Sequence, residues 1–110
     1  MELAELLDMQ NELDKIIMKN KDVNLTNAEL LHCKVIAMLT EIGEFSNEHG
    51  GFKYWKKNHV RDNEKVLEEW VDILFFYLSI SNLLGYSSDD IIGKYLEKLR
   101  INLSRAKGSY

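Results

Sequence analysis

The chain has 110 residues, 45% of them hydrophobic and 29% charged, with a net charge of −4, one cysteine and no proline. That is material for a single domain over residues 1–110, too apolar for a disordered segment and too acidic for a protein that binds duplexes by neutralising phosphates. One cysteine excludes an intrachain disulfide and suits a reducing cytoplasm; a signal peptide's charged start is missing, and the longest apolar run, Ile73 to Ile80, is too short to span a bilayer.

Helix one is predicted from Glu2 to Asn20, with Leu3, Leu6, Leu13 and Ile17 along one seam and Leu7 and Ile16 beside it. Gln10 falls in that seam. Its amide is either a satisfied buried group that fixes register or a reader of a base edge, which needs one donor and one acceptor in fixed orientation. Asn20 to Thr26 reads as a loop, and Thr26-Asn-Ala-Glu29 has the form of a capping box opening helix two. Helix two runs to about Glu48 and stops at Gly50-Gly51. Stepping 100° per residue, Leu31, Val35, Met38, Ile42 and Phe45 make one stripe, with Glu41, Glu44 and Glu48 making a second beside it. Cys33 has only Lys34 as a nearby cation and reads as a small core or edge residue, not a nucleophile.

The segment from Gly51 to Arg61 interleaves Phe52, Tyr54 and Trp55 with Lys53, Lys56, Lys57 and Arg61, and with His59 as a conditional cation. Such a mix serves either as a surface loop whose rings tuck onto the core or as a seat for phosphates next to a base. Asp62 or Asn63 caps helix three, which reaches Leu84 and ends at Gly85. From Trp70 to Leu84 it is apolar on nearly every side, which predicts burial, yet Glu69 and Asp72 share an aspect with Phe76 and Leu83. Ser87 or Ser88 opens helix four, which carries Ile91, Ile92, Tyr95, Leu96 and Leu99 toward the core and extends to about Arg105. Lys98, Asn102 and Arg105 lie one turn apart on it and form a polar stripe, which plain solvent exposure would also explain.

Two acid pairs on two apolar helices are the chemical anomaly. A carboxylate taken out of water costs several kcal/mol unless it is neutralised, paired or bound to a cation. Glu41, Glu44, Glu69 and Asp72 therefore either sit at the solvent edge of a bundle or converge on a hard divalent cation, for which magnesium suits an all-oxygen setting. Zinc is not indicated, because His32, His49 and His59 are scattered, and no glycine-rich phosphate loop, repeat or low-complexity tract is present.

The spacing Glu41-Ile-Gly-Glu44, 24 intervening residues, then Glu69-Trp-Val-Asp72 resembles the signature of the all-α nucleoside triphosphate pyrophosphatases, the superfamily of MazG-type enzymes and dimeric dUTPases. Asn47-Glu48 through Phe52-Lys53-Tyr54-Trp55 is similar to the motif that follows the first acid pair in dimeric dUTPases. Leu7 to Asp14 resembles their first motif, in which the glutamine faces the uracil. Tyr95 to Arg105, followed by Gly108 and Tyr110, resembles their last. There are departures: Phe75 stands where many relatives carry a histidine, Asp14 where some carry an asparagine, and Gly85-Tyr86 leads straight to helix four where relatives have a long helical insertion.

The resemblance implies an all-α fold of four to five helices completed by homodimerisation, or a dimer of dimers, and magnesium-dependent hydrolysis of dUTP to monophosphate and pyrophosphate. It assigns Glu41, Glu44, Glu69 and Asp72 to metal binding and catalysis, with Glu41 as the base. Lys53, Lys56, Lys98, Asn102 and Arg105 would hold the triphosphate, and Gln10, Asn47 and Trp55 or Phe76 the nucleoside. Missing the insertion, the pocket is more open and selects less strictly. The alternatives are a MazG-like enzyme with broad base preference and a noncatalytic helical module for oligomer or partner binding. An all-round apolar helix three independently calls for a second subunit to cover it.

Overall fold

The computed structural model describes residues 1–58 and 60–109; His59, the conditional cation, and Tyr110, the end of the last motif, lie outside the described residues. The chain is all-α. Helices α1 (Leu3–Asn20), α2 (Asn27–His49), α3 (Asn63–Leu84) and α4 (Ser88–Ser104) follow one another, and a π-helical turn over Arg105–Ser109 ends the described chain.

Local chemistry sets these boundaries. Thr26 accepts from the Glu29 N–H at 3.2 Å while Glu29 accepts from the Thr26 N–H at 3.1 Å, closing the expected box. Asp62, not Asn63, caps α3 by accepting from the Glu64 and Lys65 N–H groups. Ser87, not Ser88, caps α4, in a reciprocal pair with Asp90. Gly50 and Gly85 end α2 and α3 in the left-handed region, at φ 73° and 79°, where a side chain would be strained.

α3 is the axis of the molecule. α2 and α1 both pack against it, and α4 packs only against α1. Lys34 meets Ser79 and Phe45 meets Trp70, so α2 and α3 are antiparallel; Asn82 donates to the Leu7 carbonyl at 2.8 Å and Ser79 to Asp14 at 2.6 Å, so α1 and α3 are too.

The covered faces differ from the predicted seams. On α1, Leu3, Leu7, Gln10, Asp14 and Met18 turn inward while Leu13, Ile16 and Ile17 are exposed. The reason is polar: Gln10 and Asp14 are hydrogen-bonded to each other and Asp14 to Ser79, which rotates the second half of α1 away from its leucine seam. On α2, Lys34, Ala37, Met38, Glu41 and Phe45 face inward, leaving Val35 and Ile42 open. Cys33 is exposed, an edge residue. On α3 the expected burial is not reached within one chain, for Trp70 is 57% exposed and Leu74, Phe75 and Tyr77 are also open. Nor does α4 deliver its apolar residues to a core. Ile92, Tyr95, Leu96 and Leu99 are exposed, because the helix stands away from α2 and α3.

The whole chain is correspondingly spread out. Its radius of gyration is 17.6 Å, where a compact domain of this length has about 13 Å. It exposes 8674 Å², against about 6,300 Å² for a compact monomer of its mass. Among the described residues, only Leu7 and Leu78 are buried hydrophobics.

Candidate functional site

α2 and α3 bring the two acid pairs together near the C-terminal end of α2. Glu41, Glu69 and Asp72 each present a carboxylate oxygen within 4.8 Å of the others, and all three are half-buried. Antiparallel packing explains the convergence: the last turns of α2 lie beside the early turns of α3, and the tilted contact between Phe45 and Trp70, with ring centroids 5.0 Å apart, fixes the level. Glu44 lies at the exposed rim, close enough to both Glu41 and Glu69 to repel them.

The electrostatics are those of a site short of positive charge. Glu41 Oε2 and Glu69 Oε2 are buried and have no hydrogen-bond partner. Desolvation, then Glu44, Asp72 and Glu69, push the Glu41 carboxyl up from 4.5 to about 7. Glu69 is raised as well, first by desolvation and next by Glu44 and Asp72. Glu41 and Glu69, partly desolvated among like charges, thus resist ionisation. An all-oxygen donor set with buried, orphaned oxygens fits a hard divalent cation, and magnesium fits among such ions because it binds through one or two carboxylates and keeps positions for water and phosphate.

The basic segment adjoins this end of α2. Lys53 Nζ donates to Asn47 Oδ1 and lies 5.6 Å from the Phe52 ring centroid. Trp55 packs edge-on against Phe52 and Tyr54 yet is exposed, as is Lys56. The rings therefore pack edge to face on one another, and Arg61 Nε anchors the segment by donating to the His49 carbonyl at 3.1 Å. Phe76 is half-buried on α3.

Two groups are not brought to the acids within one chain. Gln10 is buried at the α1–α3 contact, its Nε2 donating to Asp14 Oδ1 at 3.0 Å. Lys98, Asn102 and Arg105 ride on α4, which touches neither α2 nor α3.

Sequence reasoning missed a polar knot at the three-helix junction. Lys34 Nζ donates to Ser79 Oγ at 2.7 Å, Ser79 donates to Asp14 Oδ2 at 2.6 Å, and Lys34 and Asp14 form a 4.0 Å ion pair. The available signal was a lysine one residue from an apolar stripe and a serine inside the most apolar helix. A cleft of about 610 Å³, bordered by Asn11, Lys15, Asn27 and Asn82, opens over this knot.

No curated protein and no solved structure matches this chain. A family model described as dUTPase matches residues 2–83, which covers α1 to α3 with both acid pairs and the basic aromatic segment, and leaves α4 outside. The converging acids, the aromatic segment beside them and the three-helix frame are all carried by the matched residues, and the chain belongs to the dUTPase family.

Proposed function

We propose that this chain, within the nucleotide pyrophosphatase type its family stands for, is a magnesium-dependent dUTP diphosphatase that works as a homodimer. The observation that carries the reading is the cluster of Glu41, Glu69 and Asp72, with two buried carboxylate oxygens left without a partner. These three residues, with Glu44 at the rim, would hold the ion. Magnesium, when bound, supplies positive charge to the phosphate chain and makes water more acidic. Glu41, whose carboxyl is pushed up to about 7 and whose carboxylate is therefore a stronger base than an ordinary one, takes the proton of the attacking water as the bond between the α- and β-phosphates breaks, releasing monophosphate and pyrophosphate. Lys53 and Lys56 hold the phosphates electrostatically, and Trp55 offers an exposed face to the base, with Asn47 kept in place by Lys53.

The homodimer is supported by the surface excess of roughly 2,400 Å² over a compact monomer, the scale on which each partner in an obligate dimer loses surface.

One observation favours the MazG-like second reading of broad base preference. Gln10 is already committed to Asp14, and α4 follows α3 directly through Gly85–Ser87, with no added element over the site. Pyrophosphate release from a panel of deoxy- and ribonucleoside triphosphates, with magnesium and with EDTA, separates the readings. Turnover confined to dUTP supports the first and turnover across bases the second. Loss of both, with a melting temperature indifferent to magnesium and nucleotide, would leave a noncatalytic helical module.

A further inference from the structure

We infer that His49 is a positioning residue for the proposed reaction: as a hydrogen-bond acceptor at the neck of the basic aromatic segment, it holds Lys53, Trp55 and Lys56 in place beside the acid-bearing end of α2. Its effect on turnover rests on the diphosphatase reading, and its geometry on separate contacts.

Two atoms of His49 take donors from the two ends of the segment. Nδ1 accepts from the Gly51 N–H at 3.1 Å, two residues on, and the carbonyl accepts from Arg61 Nε at 3.1 Å, twelve residues on. A stretch whose ends meet on one residue is a closed loop, which presents its side chains from a fixed base. The neck is joined directly to both helices that carry the acids. Gly50 ends α2 in the left-handed region, and Asp62, next to Arg61, caps α3.

The loop's course is counted off from that neck. The Lys53 N–H donates to the Gly50 carbonyl at 3.0 Å and the Lys56 N–H to the Lys53 carbonyl at 2.9 Å, so the two lysines follow on successive turns. Lys53 Nζ reaches back to Asn47 Oδ1 on α2, and Trp55 packs edge-on against Phe52 and Tyr54. Moving the neck therefore moves all three side chains together.

The fit of the ring is close. A Cβ on Gly51 would lie 2.7–2.8 Å from the His49 imidazole, so the ring reaches the Gly51 N–H only because that residue has no side chain. Its other side faces the core. The ring centroid lies 6.0 Å from that of Phe45, which is 5.0 Å from Trp70 on α3. His49 thus takes its level from the contact that aligns the two acid pairs and passes it to the loop. A phenylalanine would fill the same space but could not accept the N–H.

Two substitutions separate acceptor from ring. His49→Asn keeps an acceptor on Cγ, where Nδ1 stands, and loses the ring; His49→Phe keeps the ring and loses the acceptor. In magnesium-dependent pyrophosphate release from dUTP, His49→Phe should raise KM about two- to tenfold with kcat little changed, the loss expected when one ordinary hydrogen bond no longer holds the loop in its binding form. His49→Asn should restore the wild-type KM. Gly51→Ala, which leaves His49 in the chain but pushes its ring away, should match His49→Phe and carries the same test should that variant fail to fold. An unchanged KM in both His49→Phe and Gly51→Ala, or a raised KM in His49→Asn, overturns the inference whenever the wild type is active.

A second readout needs no turnover. In a Trp70→Phe background Trp55 is the only tryptophan, and its fluorescence anisotropy in the magnesium-free protein reports how firmly the loop is held. Lower anisotropy in His49→Phe and Gly51→Ala, with His49→Asn at the value of the parent, supports the clamp even if no triphosphate is turned over and the diphosphatase reading fails. Equal anisotropy in all of them, or a loss shared by His49→Asn, overturns it.

Discussion

The α2–α3 pair carries two polar insertions, and they are opposites. At the Lys34–Ser79 level, a lysine, a serine, an aspartate and a glutamine satisfy one another: donors meet acceptors and a positive charge faces a negative one. At the Glu41–Asp72 level, acids meet acids, two buried oxygens have no partner, and the Glu41 carboxyl is pushed to about 7. The same helix pair thus holds a closed network and an open one. A closed network fixes register and needs nothing more, whereas an open one keeps its electrostatic cost until a ligand removes it.

The largest expected effect breaks the open network. Glu41→Gln should lower magnesium-dependent turnover by about 10²–10⁴-fold, as loss of a general base does, while the cation-free protein melts no lower than wild type because a like charge has gone. Full activity in that variant would show the acids to be misassigned. The closed network should respond the other way round. Asp14→Ala leaves Lys34 and Gln10 short of their partner and should cost about 1–3 kcal/mol of stability, read by denaturant or thermal unfolding, yet leave the magnesium-induced rise in melting temperature intact. Should that rise vanish, the two networks are not independent.

The smallest effect is a pH dependence confined to the open network. Glu41 binds its proton more tightly folded than unfolded, so its stabilising contribution is complete below about 4.5 and is lost as pH rises through about 7. Without divalent cations, wild type should therefore lose melting temperature relative to Glu41→Gln between pH 5 and 8. Magnesium at pH 8 should close the gap. The carboxyls of Glu29 and Asp90, lowered by their backbone and side-chain hydrogen bonds to Thr26 and Ser87, act in the opposite sense and at lower pH, so the difference between the two proteins isolates the cluster. A gap that is flat with pH would remove Glu41 from the group that resists ionisation.

Helix limits were legible because their causes are local. A threonine followed three residues later by a glutamate, and a glycine after an apolar run, need no tertiary knowledge. The acid cluster was legible because spacing alone puts Glu41 with Glu44 and Glu69 with Asp72, and only the antiparallel pairing had to be supplied. The turn of α1 away from Leu13 and Ile17 was not legible. It depends on Asp14 finding Ser79, 65 residues on, at hydrogen-bond distance. Nor was the stance of α4, since a helical wheel shows which face is apolar and not which neighbour covers it; the family match, ending at residue 83, gives no guidance there either.

In the proposed homodimer, the exposed flanks of α3 and α4 would also set how the protein comes into being. A chain that covers its apolar area only on meeting its own copy matures by a second-order step, so newly made molecules at low abundance spend longer open to proteases and to mispairing. Output per cell would then climb more steeply than the number of chains made. Modest changes in synthesis would act as a switch on nucleotide clearance, with no effector required.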